Sequence, residues 1–152
     1  MPENSETAIV VCFFSFILFV YWFRYVCGLI LAAKPARNHA GEVAQANHLR
    51  FHEVQSALSS ECSILELAEL TSALDRDYRL LVYLLERGGT SEAFGSASER
   101  RILQIYYQVL LVWYSCVRAV ARDMAQRTVE NMTLVVAHLA SRLGERLAAR
   151  TF

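Results

Sequence analysis

His48 and His52, four residues apart with Glu53 next in line, are the strongest candidates for chemistry in this sequence. On one continuous helix that spacing presents two imidazoles on the same face, a geometry that can hold a single metal ion. No third ligand stands at a fixed spacing from them, and no Glu-x-x-His run supplies a bridging carboxylate. His39 or His138 could join only through the fold, so the plain reading is two histidines on a polar helix face. Cys12, Cys27, Cys62 and Cys116 show no Cys-x-x-Cys spacing and read as small apolar residues or free thiols. Asp75 and Asp77 are two apart and point in different directions on a helix, which does not suit an acid–base pair. Asn131, Met132 and Thr133 spell a glycosylation sequon, but inside a helical pattern. There is no phosphate-binding loop, dinucleotide fingerprint, nucleophile elbow or zincin motif. The expectation is a protein that is not an enzyme, with no cofactor, no metal and no small-molecule substrate.

Composition sets the elements that must carry these residues. The chain has 152 residues, room for one ordinary domain, and 55% of them are hydrophobic. Fifteen Lys and Arg balance fifteen Asp and Glu, so the basic footprint of a nucleic-acid binder is absent. Six Gly and two Pro are too few for a turn-rich sandwich or barrel, and the abundance of Ala, Leu, Glu and Arg favours helix. Fourteen Arg against one Lys suggests a GC-rich genome and a bacterium.

Residues 1–7 are a short polar start, and residues 8–33 carry one charge, Arg24. As a helix that segment spans about 39 Å, against roughly 30 Å of hydrocarbon, and is expected to anchor the chain in a bilayer. Tyr21, Trp22, Phe23 and Tyr25 surround Arg24 as an aromatic belt would surround a snorkelling cation, so Tyr21, Trp22, Arg24 and Tyr25, with Lys34 and Arg37, are assigned to the membrane interface. The alternative makes Arg24 an intramembrane charge paired with a partner's carboxylate, or a pore-facing group of an oligomeric channel or transporter. Gly28 and Ala32 are spaced for a close helix contact. A cleaved leader fits poorly, because no basic residue precedes the apolar run and Leu31 occupies the position three before a cut after Ala33. Glu3 and Glu6 lie upstream and Arg24, Lys34 and Arg37 downstream, which places the N-terminus outside and the bulk in the cytoplasm, on a bacterial inner membrane.

Pro35 ends the anchor, residues 34–41 link it, and residues 42–152 read as helical. The pattern predicts helices at about 42–58, 62–87, 97–123 and 127–148. In the second, Ile64, Leu67, Thr71, Leu74, Tyr78, Leu81 and Leu85 follow alternating spacings of three and four. Ser72 with Asp75 offers a later start for it, Ser96 with Glu99 a capping box for the third, and Gly144 a possible end for the fourth. In the third helix Ile102, Tyr106, Val109, Trp113, Cys116 and Val120 are expected on one face, and Leu74, Leu81, Val109 and Trp113 in the core. Met124, Thr128, Met132, Val135, Leu139 and Leu143 continue a stripe in a shifted phase, with a break between Arg122 and Glu130. Residues 61–100 are net negative by four and residues 101–152 net positive by four, favouring an antiparallel pairing. The expected fold is therefore all-α: one transmembrane helix followed by a small antiparallel helical bundle or a long helical hairpin.

Residues 102–117 hold no formal charge, yet about 24 Å of helix with Gln104 and Gln108 is short for a second span. Apolar and aromatic residues wrap most of this helix, so it can serve both core and docking, and Tyr107, Leu110, Leu111 and Tyr114 are expected to form an interaction surface. The functional expectation is a single-pass membrane protein that binds other proteins, or itself, as an accessory or scaffold subunit. The alternatives are a metal or redox enzyme subunit built on His48 and His52, and the channel component.

Overall fold

A computed structural model of the chain describes residues 3–33, 40–60, 62–87 and 97–150, in two units, Met1–Ala33 and Lys34–Phe152. The first unit is one helix, α1 (Glu3–Ala32). It starts earlier than residue 8 because Asn4 to Thr7 contain no breaker, and acidic residues in a first turn suit the helix dipole. Its stretch Ser5–Ala32, 28 residues, is long and apolar enough to cross a membrane. The last turn closes with the Ala33 amide donating to the Leu29 carbonyl at 3.0 Å.

The second unit consists, among the described residues, of α2 (Ala40–Ala46), α3 (Phe51–Ala57), α4 (Ile64–Arg87), α5 (Ala97–Val117) and α6 (Arg122–Arg150). Helix α6 packs on each of α2, α3, α4 and α5. Its direction follows from the bonds at its ends. Near its start Arg122 donates to the Cys62 carbonyl just before α4, and near its end Arg146 donates to the Leu85 carbonyl in the last turn of α4 at 2.9 Å, so α4 and α6 run parallel. The end of α5 passes into α6 through the turn at 118–121, while Glu99 at the start of α5 meets His138 and Arg142 late in α6, so α5 runs antiparallel to both. The Tyr78 and Tyr107 rings, stacked with centroids 3.7 Å apart, join α4 to α5.

The seam expected on α4 is buried from Leu67 to Leu85, and Ile64 alone of its members is exposed. The helix starts at Ile64, not at Ser72, because Ser63 and Glu66 form a reciprocal capping box. The Ser63 amide donates to the Glu66 carboxylate at 2.6 Å and the Glu66 amide to the Ser63 hydroxyl at 3.3 Å. Hydrogen bonding by Ser63, its amide first and then its side chain, holds the Glu66 carboxyl below its ordinary value. The stripe on α6 is buried from Thr128 to Leu143, with Met124 exposed. Gly144 does not end α6, which continues to Arg150 with Gly144 buried inside it. The break before α6 falls at 118–121, earlier than expected, in a segment with no Gly or Pro. The Val117 carbonyl accepts from the Val120 amide at 3.0 Å and the Ala121 amide at 2.8 Å to close the turn, and Arg122 donates to Cys62 just beyond it.

The single helix expected over 42–58 is two. Helix α2 ends at Ala46, His48 takes a left-handed backbone with φ 53°, and the Leu49 amide reaches back to the Ala44 carbonyl at 2.9 Å. This is a Schellman-type closure with histidine where glycine is usual, and the buried Leu49 and Ala44 accompany it. Helix α3 then starts without a cap from its own residues. Its acceptor comes from α4: the Arg50 amide donates to the Asp77 carboxylate at 2.6 Å, and the Phe51 amide bonds the same group. Burial raises the Asp77 carboxyl above its ordinary value, partly offset by these two amides. The carboxylate thus satisfies helix-end donors that the chain locally leaves open.

A left-handed histidine costs about 1 to 2 kcal/mol relative to glycine, whereas glycine inside a helix costs about 1 kcal/mol relative to alanine. His48→Gly is therefore expected to leave stability unchanged or raise it by up to about 1 kcal/mol. Chemical denaturation of both chains in one detergent checks the sign, and a clear loss would restore the continuous helix.

Candidate interaction surface

Helix α5 carries two apolar seams back to back. Leu103, Tyr107, Leu110, Tyr114 and Val117 recur at spacings of four, three, four and three, and all are buried. Ile102, Ile105, Val109, Val112 and Cys116 recur at three, four, three and four on the other side. There Ile105 is 56% exposed, Val109 51%, Val112 65% and Trp113 49%. Two residues on a helix subtend about 200°, so Ile105 and Tyr107 face opposite ways. Gln104, Ile105, Gln108, Val109, Val112, Trp113 and Cys116 line, with Tyr78 of α4, an open and mostly apolar groove of about 630 Å³.

The structure departs from the two expected faces, although Tyr106 of the expected inner face is buried. Tyr107, Leu110 and Tyr114 are core, Leu111 is half-buried, and the expected core residues Val109 and Trp113 are at the surface. The ring of Tyr107 stacks on Tyr78, and that contact goes with the observed rotation of α5. The Tyr107 and Tyr114 hydroxyls are buried with no hydrogen-bond partner among the described residues, and burial drives the Tyr107 phenol far above its ordinary range. The outer residues that the expectation omitted, Ile105 and Val112, had a signal in the unbroken three–four spacing from Ile102 to Cys116.

One titratable cluster ties α5 to α6. Glu99 accepts from Arg142 at 3.1 Å and lies 3.4 Å from His138 Nε2, and Arg142 also pairs with Glu145 at 3.4 Å. His138 is buried, and burial lowers its pKa below the ordinary imidazole value against the opposing pull of Glu99. The box expected between Ser96 and Glu99 cannot be placed, since Ser96 lies outside the described residues; the Glu99 carboxylate is used across the helix pair.

His48 and His52 do not share a helix face. His48 sits in the turn after α2 and His52 on α3, both exposed, so the break removes the shared helix face, and the His52 ring lies on Phe51 with centroids 4.3 Å apart. Among the described residues no three His, Cys, Asp or Glu side chains gather as metal ligands would. All four cysteines are free. On α1, Tyr21, Trp22, Arg24 and Tyr25 are exposed. Lys34 and Arg37 lie outside the described residues.

Comparison of the chain with family models, with characterised proteins and with solved structures finds no match.

Truncating the fully buried Tyr107 to Ala should cost about 3 to 5 kcal/mol, whereas Tyr107→Phe, which deletes a buried unpartnered hydroxyl, should be neutral or stabilising. Trp113→Ala should cost less than about 1 kcal/mol, as surface changes do. Denaturation of the three variants checks the phase of α5, and a larger loss at Trp113 than at Tyr107 would reverse it.

The native chain binds a proton at His138 less readily than the unfolded chain does. Stability is therefore complete above the unfolded imidazole value of about 6.5 and falls as pH drops through it toward the lowered native value. His138→Gln should make the loss between about pH 7 and 5 smaller. Denaturation midpoints of both chains across that interval test this, and parallel profiles would contradict it.

Proposed function

We propose that this chain is a single-pass, membrane-anchored helical scaffold or accessory subunit that binds another protein chain through the outer face of α5 and performs no chemistry itself. The observation that carries the reading is the exposed seam of Ile105, Val109, Val112 and Trp113 on a helix whose opposite side is already in the core. Soluble surfaces rarely leave such a contiguous apolar row uncovered unless it is used. The anchor reading is supported by α1, and the excess of Arg24, Lys34 and Arg37 over the acidic start favours a cytoplasmic bundle, on a bacterial inner membrane. On this reading Tyr21, Trp22, Arg24 and Tyr25 lie near the headgroups, where the aromatic rings and the snorkelling guanidinium hold the depth of the helix.

Amine-reactive cross-linking is poorly suited to a chain with one lysine, so photo-cross-linking from a benzophenone amino acid at Gln108 in intact membranes is the appropriate test. The full chain should give a discrete higher-mass adduct. Val109→Glu with Val112→Glu should abolish it, and Leu134→Glu, on the exposed strip of α6, should leave it unchanged. No protein adduct from the full chain would overturn the reading.

A further inference from the structure

The groove between α4 and α5 changes character from one end to the other. Along α5 its lining begins with the amides Gln104 and Gln108 and continues into Val109, Val112, Trp113 and Cys116. At about 100° per residue these positions fill an arc of about 180°, and Arg101, one turn before Gln104, falls near the middle of that arc. Arg100 and Arg118 fall outside it. Arg101 is exposed and joins no ion pair among the described residues. A cation, two amides and an apolar run thus follow one another on a single stripe, which is the order of an anionic amphiphile. We propose that this groove is a binding site for one single-chain fatty acid, its carboxylate at Arg101 and its hydrocarbon along Val109, Val112 and Trp113.

Length and volume both suit one chain. From Arg101 to Cys116 the helix rises about 22 Å, and an extended acid of about 16 carbons measures about 20 Å at roughly 1.3 Å per carbon. The groove has a volume of about 630 Å³, within the range of small-molecule sites. At about 30 Å³ per methylene-sized group it holds about 20 such groups, enough for one fatty acid and too few for the roughly 50 of a diacyl phospholipid.

The wall opposite α5 is held in place without a ligand. Gln108 hydrogen-bonds the Tyr78 hydroxyl, and the Tyr78 ring is stacked on Tyr107 with centroids 3.7 Å apart. Of the α4 carboxylates that act on Tyr78, Asp75 is paired with Arg79 at 2.9 Å, and Glu86 forms no ion pair with Arg101. The guanidinium of Arg101 can take a carboxylate through two parallel N–H bonds, so the headgroup is recognised by shape as well as by charge. Beyond Gln108 no lining side chain offers a charge or an amide, which disfavours a peptide or a nucleotide. A bound chain covers the residues through which this face is read to hold a protein and would compete with that partner. The binding itself does not depend on that reading.

Trp22→Phe leaves Trp113 as the one tryptophan of the full chain, and its emission reports the groove. In phosphatidylcholine nanodiscs, dibromostearate should quench that emission saturably. Arg101→Gln should weaken the apparent affinity about tenfold, Arg101→Lys should restore part of it, and Arg118→Gln should change nothing. The methyl ester of the same acid, which lacks the anion, should bind the chain that keeps Arg101 as weakly as the acid binds Arg101→Gln. Arg101 and Arg118 are exposed, so these changes leave the core intact. Absence of saturable quenching would overturn the proposal, as would equal affinity for acid and ester or an unchanged affinity in Arg101→Gln. Quenching by dibrominated phosphatidylcholine in place of the acid would put the face on the bilayer and overturn it too. Saturable quenching that depends on Arg101, with no protein adduct from Gln108, would uphold this site and remove only the protein reading.

Discussion

From Thr128 to Leu143 only Glu130 and Leu134 of α6 are exposed, and every other helix of the second unit packs around that enclosed rod. A helix buried on nearly all sides can be polar only where the polarity is satisfied locally. Accordingly the Thr128 and Thr133 hydroxyls donate back to the carbonyls four residues earlier, at 2.7 and 2.8 Å, as Thr71 does on α4. At its ends α6 uses long side chains to reach carbonyls its neighbours leave open: Arg122 to Cys62, Gln126 to Leu58 at 3.1 Å, and Arg146 to Leu85 at 2.9 Å. Burial drives the assembly, and these bonds set its register, since sliding α6 by one turn would strand three acceptors at once.

The same logic makes the short helices dependent on the long ones. Helices of seven residues are marginal by themselves, and α3 begins with amides that its own preceding residues do not cap. Asp77 supplies the missing acceptor from inside α4, which is why a carboxylate is tolerated at a buried position. Glu99, His138 and Arg142 play the corresponding part where α5 meets α6. The ionisable groups Asp77, Glu99, His138 and Arg142 are thus occupied in holding helices to one another, and the exposed side of α5 is apolar.

That surface exists because α5 lies at the side of the bundle with one seam inward and one outward. Turning it by about half a turn would bury Val109, Val112 and Trp113 and expose Tyr107 and Tyr114. The ring of Tyr107 against Tyr78 goes with the observed phase, at the expense of two hydroxyls without partners.

The sequence by itself determined the all-α class, the apolar N-terminal helix, and the inward faces of α4 and of most of α6. Those features rest on local periodicity: where a helix has one apolar stripe, as from Leu67 to Leu85, burial has one solution. Three features needed the tertiary structure. The split at 47–50 depends on a left-handed His48 and on Asp77, twenty-seven residues from the amide it accepts, and no local signal marks either. The reversal at 118–121 contains no breaker, and Arg122 donates to Cys62 just beyond it. The phase of α5 could not be read from its pattern, because two apolar seams fit the same period and only the neighbour that each would meet differs.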